Sequence, residues 1–521
     1  MRILMDLDMR DLARLLKYHP LSLKVAASLM ARNPQSIAQY IEKWKSRSLS
    51  NGALSTHDAL LRAFELSFEE LKKTSPMSAN LLLMFSFLDH RDMWYELCLG
   101  VADESSPPWL QHLSAHKRPR DYISPLYDLS FIEAKPHDQL GCIYEIHPAV
   151  HEFARWKAGE DEAEYLTTAI TLVAARVPRS TNHDFITITQ RLEPHVSQCM
   201  LYIQQDRTGN RLDLVELEKF GNLFRHVGRY DEAFQLYRVI LQYLRTDTPS
   251  QFNLEMMANI ENNIGLVHHA KREYEKALQA YGRSSELRRQ CFPTPNQDTL
   301  FSTFYNEGRS LLVLSKLEKA QQMLSAAADY FSQAMNDDSR PRAEREQLMH
   351  PYQRVLNDLG ETHLRIGQLD KAEQVLHKAF QGHLESGREK HPTAFAVRLN
   401  MGRVCVERNF FAPSRSIFEH IITTYTEWWG RRHPETMRAL NELAESHMRH
   451  GKLKREMGDG SEEELKKSSE CFTETLMFYE ETFGKEADIV GLIKSKLEEL
   501  VWLRSSIAKS PYEIYYAPPQ P

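Results

Sequence analysis

Cysteine is scarce and scattered in this chain. The six, Cys98, Cys142, Cys199, Cys291, Cys405 and Cys471, are spread over 521 residues and form no C-x-x-C pair. That spacing indicates neither a zinc site nor a disulfide framework, and it fits a reducing compartment. Long apolar runs are missing too, since none approaches the ~18 residues of a membrane span. The N-terminus, Met1-Arg2-Ile3-Leu4-Met5-Asp6, soon turns acidic and lacks the apolar core and cleavage site of a signal peptide. The expected location is cytoplasmic. A phosphate-binding loop, G-x-x-x-x-G-K-[ST], occurs nowhere, so the amides and lysine that cradle a nucleotide's phosphates are not supplied. No nucleophile–base constellation points to an enzyme. The net charge of −6 gives no reason to expect wholesale binding to polyanions.

What is present is a repeated pattern. Its clearest copy runs from Leu359 to Leu376, with Gly360, His363, Gly367, Leu369, Ala372 and Leu376. The pattern can be anchored at Gly221, Gly265, Gly308, Gly360, Gly402 and Ala444, at intervals of 44, 43, 52, 42 and 42 residues. A period in this range signals a stacked repeat array. Large residues stand nine after the anchor (Tyr230, Tyr274, Leu317, Leu369, Phe411, Leu453) and sixteen after it (Tyr237, Tyr281, Leu324, Leu376, Phe418). Small ones stand twelve after it (Ala233, Ala277, Ala320, Ala372, Ser414). One helix pair cannot bury these residues alone, whereas stacked pairs form a continuous core. The fold expected is mainly α, a helical-repeat solenoid.

Asn263-Ile264-Gly265 with Tyr274-Glu275-Lys276-Ala277-Leu278, Gly228-Arg229-Tyr230-Asp231-Glu232-Ala233, and the spacers His391-Pro392-Thr393 and His433-Pro434-Glu435-Thr436 resemble the tetratricopeptide repeats of kinesin light chains and of fungal NLR-like proteins. The resemblance covers residues 212–505. The long third interval predicts a loop near Asn336 to Glu344. Lys454 to Glu464 reads as an exposed insertion in the sixth repeat, Ala487 to Ser505 as a capping helix, and 506–521 as a disordered tail.

The N-terminal third reads as short helices and a hairpin. Leu12, Leu15 and Leu16 form one apolar face. Tyr18-His19-Pro20 breaks it, and a helix follows to Met30. Residues 51–160 are expected to form a small winged-helix domain: helices over Ala59–Leu71, Ser78–Leu88 and Tyr122–Leu129, then a β-hairpin of Phe131–Ala134 and Cys142–Ile146. Pro107-Pro108 and His116–Arg120 mark loops. Residues 161–211 form a helical bridge. Tyr18-His19-Pro20-Leu21-Ser22-Leu23, Leu66–Leu71 with Ser78–Leu82, and Ile146-His147-Pro148-Ala149-Val150-His151 resemble the C-terminal part of the NB-ARC module of STAND switch ATPases. On that resemblance residues 1–50 are a remnant of the module. It implies nucleotide contacts at Pro20 (adenine side) and His147 (phosphate side), and a role in signal transduction. No cofactor is expected for this chain alone; ADP or ATP enters only if a phosphate-binding half is supplied upstream. Without such a half, Pro20 starts a helix and His147 caps one. The pair His147/His151 with Glu152 does not follow a zincin order. Nucleic acid is not expected, since the helix over Tyr122–Leu129 is apolar and contains Pro125. Neither is a membrane.

Repeat arrays of this kind bind partners along the face lined by each repeat's first helix. Positions six before, three before, one after and four after the anchor share a helical face. They hold Arg354 and Arg438, then Asn262, Tyr305, Asn357 and Asn441, then Arg309 and Arg403. Carboxamides pair with the backbone of an extended peptide, and arginines with its carboxylates. The expected partner is a protein or an extended, partly acidic peptide. Glu361, Glu407 and Glu445 share the neighbourhood, which a merely solvated surface would also show. His268, His363 and His447, three after the anchor, are expected to be core residues and not a metal ladder. A non-enzymatic interaction scaffold is the function expected; the alternative is the sensor part of an ATP/ADP-dependent switch.

Overall fold

A computed structural model describes residues 2–32, 36–46, 55–94, 97, 102, 106–115, 120–137, 141–178, 185–205, 213–245, 250–291 and 296–505. The chain divides into two compact units, Met1–Thr248 and Pro249–Pro521. The division falls after the first repeat and not before it. The expectations for 116–119 and 506–521 lie outside the described residues.

The first unit runs α1 (Arg2–Leu15), α2 (Pro20–Arg32), α3 (Ile37–Ser46), α4 (Thr56–Thr74), α5 (Pro76–Phe85), α6 (Pro108–Ala115), α7 (Arg120–Asp128), β1 (Ile132–His137), β2 (Gly141–Ile146), α8 (Pro148–Ala158), α9 (Glu162–Arg176), α10 (Phe185–Gln204), α11 (Leu214–His226) and α12 (Tyr230–Leu244). The order expected for residues 51–160, helices then a hairpin, is present. β1 and β2 pair antiparallel, with Ile132 opposite Ile146. Met93 exchanges both backbone hydrogen bonds with Tyr144, which occupies part of the free edge of β2. Phe64 and Phe68 on α4, Phe131 before β1 and Phe153 on α8 pack together, with ring centroids 5.4–6.4 Å apart. One detail differs from expectation. Pro108, read as a loop marker, opens α6, because proline's fixed φ suits a first helical position. Within the expected helical bridge, α10 starts at Phe185 and carries Pro194 within it.

The second unit runs α13 (Gln251–Ala270), α14 (Tyr274–Gln290), α15 (Gln297–Val313), α16 (Leu317–Met335), α17 (Arg342–Ile366), α18 (Leu369–Glu385), α19 (Pro392–Glu407), α20 (Phe411–Trp429), α21 (Pro434–Glu456), α22 (Glu462–Phe483) and α23 (Asp488–Ser505). Each is packed against the next. The anchors behave as the spacing requires. A Cβ on Gly265 would sit 2.3 Å from the Tyr281 ring, and one on Gly308 2.7 Å from Leu324. On Gly360 it would sit 2.6 Å from Leu376, and on Gly402 2.5 Å from Phe418. Gly221 meets Tyr237 in the same way in the first unit, at 2.4 Å. Tyr281, Leu324, Leu376 and Phe418 are fully buried. Burial of a side chain such as Leu376 contributes about 1.5–3 kcal/mol. Seven residues after each glycine the backbone turns with positive φ, at Gly228, Arg272, Ser315, Gly367 and Asn409. The second helix begins two residues later.

The sixth repeat corrects two expectations. Lys454–Glu464 is largely exposed, as expected, but it is not a separate insertion: α21 continues to Glu456 and α22 begins at Glu462, so it forms the tip of a longer helical hairpin. The close crossing moves from Ala444 to Gly451, whose Cβ would lie 2.6 Å from Leu465. The positive-φ turn moves with it to Gly458. Leu453, expected to open the second helix, therefore lies within α21. Similarly, the extra residues of the third interval leave a turn at 336–341 and go mainly into α17, a 25-residue helix.

Gly360→Ala should destabilise the chain by about 1–3 kcal/mol, because the added methyl overpacks against Leu376. Ser315→Gly should stabilise it by about 1 kcal/mol, by relieving a left-handed backbone at φ 56°. Chemical denaturation read by circular dichroism tests both. His350 and His383 titrate at about 4, pushed down from 6.5 chiefly by burial. Folding disfavours their protonation, so the unfolded chain takes up more protons as pH falls from 6.5 towards 4. Stability should drop across that window. The slope of melting temperature against pH should be shallower in His383→Asn.

Candidate partner-binding face

The face lies where the first helices of successive repeats, α13, α15, α17, α19 and α21, come side by side. The residue two before an anchor reaches the residue three before the previous anchor. Asn306 Nδ2 donates to Asn262 Oδ1 at 3.1 Å, and Asn400 Nδ2 donates to Asn357 Oδ1 at 3.1 Å. Between them, the Tyr305 phenol and the Asp358 carboxylate act on each other in the same register. Three polar rungs thus link repeats two to five.

The charges form a second line beside the rungs. Arg309 approaches Asp358 at 3.4 Å, and Arg403 lies 3.6 Å from Glu361 and 3.7 Å from Glu442. Arg365 reaches Glu361 at 2.6 Å. Burial pushes the carboxyls of Asp358 and Glu442 above their ordinary values. Burial works in the same direction on Glu361, but Arg403 and Arg365 hold it below. Tyr305, 8% exposed, lies between two guanidiniums: Arg354 is 5.4 Å and Arg309 5.6 Å from its ring centroid. Burial pushes its phenol well up.

Of the eight residues expected on this face, six are thus tied into it: Asn262, Tyr305, Arg309, Arg354, Asn357 and Arg403. Arg438 pairs within its own helix, with Glu435 at 3.6 Å. Asn441 Oδ1 is enclosed and receives no hydrogen bond. Arg354 has no carboxylate partner among the described residues. Sequence reasoning missed Asn306, Asp358, Asn400 and Glu442. Asparagine recurs two before the anchor, at Asn263, Asn306 and Asn400, and that recurrence was the available signal.

The histidines three after the anchor are engaged inside the hairpins. His268 Nδ1 lies 2.6 Å from Glu273, His363 Nδ1 2.9 Å from Gln368, and His447 Nδ1 2.6 Å from Glu464. Among the described residues no group of three or more His, Cys, Asp or Glu is placed to hold a metal.

Pro20 and His147 lie in the first unit. Pro20 is the first residue of α2. His147 is the N-cap of α8, its Nδ1 accepting from the Ala149 amide at 3.2 Å. The same His-Pro device starts α19 (His391, to Thr393 N, 3.3 Å) and α21 (His433, to Glu435 N, 3.3 Å). A phosphate needs free amides at a helix start. Here Pro148 carries none, and the Ala149 amide is taken by the cap. These residues do not by themselves fit a nucleotide. His151 does not join His147; it is buried against the Leu88 carbonyl, Nε2 to O 2.9 Å, and burial lowers its pKa to about 4.

Antiparallel helix pairs, a small residue under a large one at each crossing and a turn at a fixed offset define a tetratricopeptide-like repeat array. No family model matches the chain. It is similar to the Arabidopsis thaliana protein KINESIN LIGHT CHAIN-RELATED 2, with 23% identity over 271 residues, 50% of this chain and 37% of that protein. The chain therefore spans well under half of that relative's length. Among solved structures, a STAND protein with a tetratricopeptide repeat sensor from Pyrococcus horikoshii gives a TM-score of 0.46 at 12% identity, covering 95% of this chain and 66% of that one. A Rap protein complexed with competence and sporulation factor gives 0.40 at 11% identity, covering 85% and 99%. No helix among the described residues is long and apolar enough to cross a membrane.

Arg309→Met should destabilise the chain by about 1–3 kcal/mol, because it leaves the desolvated Asp358 carboxylate without its cation. Adding Asp358→Asn should recover most of the loss. The coupling is read from a double-mutant cycle by denaturant unfolding.

Proposed function

We propose that this chain is a non-enzymatic scaffold, working in the cytosol, that holds an extended peptide segment of a partner protein along the first-helix face of its repeats. The observation that supports this most is the continuity of that face: hydrogen-bonding rungs and paired charges run through successive repeats, with carboxamide and guanidinium groups at its surface. Rungs that already pair sideways are held in place, so a peptide meets a rigid polar track and little ordering is needed on binding. Arg354, with an aromatic ring beneath it and no carboxylate partner among the described residues, and Arg438, paired with the half-buried Glu435 of its own helix, suit an acidic residue of the ligand. In this reading the first unit is a regulatory body of NLR-like signalling, and the free thiols among the described residues, Cys199, Cys291, Cys405 and Cys471, accord with a reducing compartment.

The test is selection of displayed random dodecapeptides on the full chain. Recovered peptides should bind at least about tenfold more weakly to Arg354→Glu, the scale of losing one well-placed charge contact. Binding should also weaken in Asn357→Ala and Arg403→Ala, with circular dichroism unchanged. Peptides indifferent to all three substitutions would remove the assignment to this face.

A further inference from the structure

Along the first-helix face, Arg309, Arg365 and Arg403 each lie within 3.6 Å of a carboxylate. Towards the start of α17 and α19 the pattern changes. His350, one turn before Arg354 on α17, stands edge to face with His391, the N-cap of α19, with ring centroids 5.6 Å apart. Arg388 lies in the turn that leads to α19. Its amide donates to the His383 carbonyl at 2.8 Å, and its carbonyl accepts from the His391 amide at 2.9 Å. Neither Arg354 nor Arg388 has a carboxylate partner among the described residues. Arg388 and His391 are exposed, and Arg354 and His350 are half-buried, so all four are open to a ligand.

His350 is the neighbour common to both arginines. Burial lowers its pKa to about 4, and the charges of Arg354 and Arg388 push the same way. On His391 burial is again the largest effect, and Arg388 follows. His383, fully buried beside them, is held down by burial and then by His391, His350 and Arg388. Among the described residues no carboxylate acts on any of the three. Two guanidiniums and two accessible imidazoles, from α17, the α18–α19 turn and the cap of α19, thus form a cationic corner without a counter-charge. Such a corner attracts an anion. Two unpaired guanidiniums match a dianion, whereas a single carboxylate would neutralise one of them. A phosphate also offers three strong acceptor oxygens, enough for donors arriving from different elements, and arginine pairs with it through two parallel hydrogen bonds.

We propose that this corner binds a phosphomonoester carried by the extended peptide that lies along the first-helix face. Arg354 and Arg388 hold the phosphate oxygens. His391, whose Nδ1 accepts from the Thr393 amide, donates from Nε2, and His350 donates beside it. This rests on the peptide-binding reading above. It makes the acidic residue of the ligand a phosphorylated one, so that the partner docks once it has been phosphorylated.

The experiment uses the full chain and synthetic dodecapeptides, each with one phosphoserine among randomised positions, beside the same peptides carrying serine or glutamate. Affinities are read by fluorescence anisotropy. Phosphoserine should bind at least about tenfold more tightly than serine, the scale of a well-placed charge contact, and more tightly than glutamate. Arg388→Gln, a change in an exposed turn, should abolish that gain with circular dichroism unchanged. Bound phosphopeptide should raise the titration of His350 by about one pH unit or more, as a nearby opposite charge does, read by NMR of isotope-labelled histidine. Inorganic phosphate alone separates the sources: a rise at His350 with phosphate but no phosphoserine gain marks a free anion and overturns the peptide-borne group. A phosphoserine gain that survives Arg388→Gln overturns the site. Peptides that bind equally with serine and phosphoserine, yet weaken in Arg354→Glu, overturn this inference and leave the groove reading standing. Peptides indifferent to Arg354→Glu, Asn357→Ala and Arg403→Ala overturn both.

Discussion

One steric constraint underlies the repeats: a hydrogen in place of a side chain where the first helix of a pair passes a large residue of the second. At Gly265 the space a methyl would take is 2.3 Å from the Tyr281 ring. Once that approach is set, the rest of the hairpin follows. The large residue fills the space between two helices and is fully buried. The turn falls at one offset, and the next pair can stack without a void. The rungs on the first-helix face depend on it too. They need the first helices of neighbouring repeats at one spacing, within the reach of two carboxamides.

This is why the repeats were legible from residue types alone. A small residue, a large one sixteen on and a turn between them are local and type-specific. The sixth repeat was read less well because Ala444 is a tolerable anchor in sequence, while the structure uses Gly451, two helical turns on. A spacing rule could not see that an inserted stretch rich in glutamate and lysine would extend both helices. Those residues favour helix, and lengthening a hairpin leaves its two ends where the neighbours need them.

The face was half legible. Helical periodicity put Asn262, Tyr305, Arg309, Asn357 and Arg403 on one side, and there they stand. What it could not supply was the one-residue offset between neighbouring repeats, which makes position minus two of one repeat the partner of minus three of the one before. Hence Asp358 and Glu442 were missed, and arginines read as available to a ligand are partly occupied by the chain's own carboxylates. In the N-terminal unit, elements with strong local signals were placed correctly, such as the helix over Ala59–Leu71, which lies within α4, and the hairpin. Of the elements opened by proline, α2 at Pro20 and α8 at Pro148 were read as helix starts, whereas α6 at Pro108 was not, because proline marks loops and first helical turns alike.

The charges one residue past the anchors carry a consequence for how this array is assembled. They run Arg309, Glu361, Arg403, Glu445, and Lys496 of the capping helix closes the series on Glu445. Packing therefore recurs every repeat, but charge recurs every second one. Excising the fourth repeat would leave the glycine crossings intact and bring Arg403 beside Arg309, with Asn400 facing Tyr305. Excising the fourth and fifth together would restore the alternation of sign. In this stretch the helix pair is the module of folding, while the module that can be gained or lost without electrostatic conflict is two helix pairs.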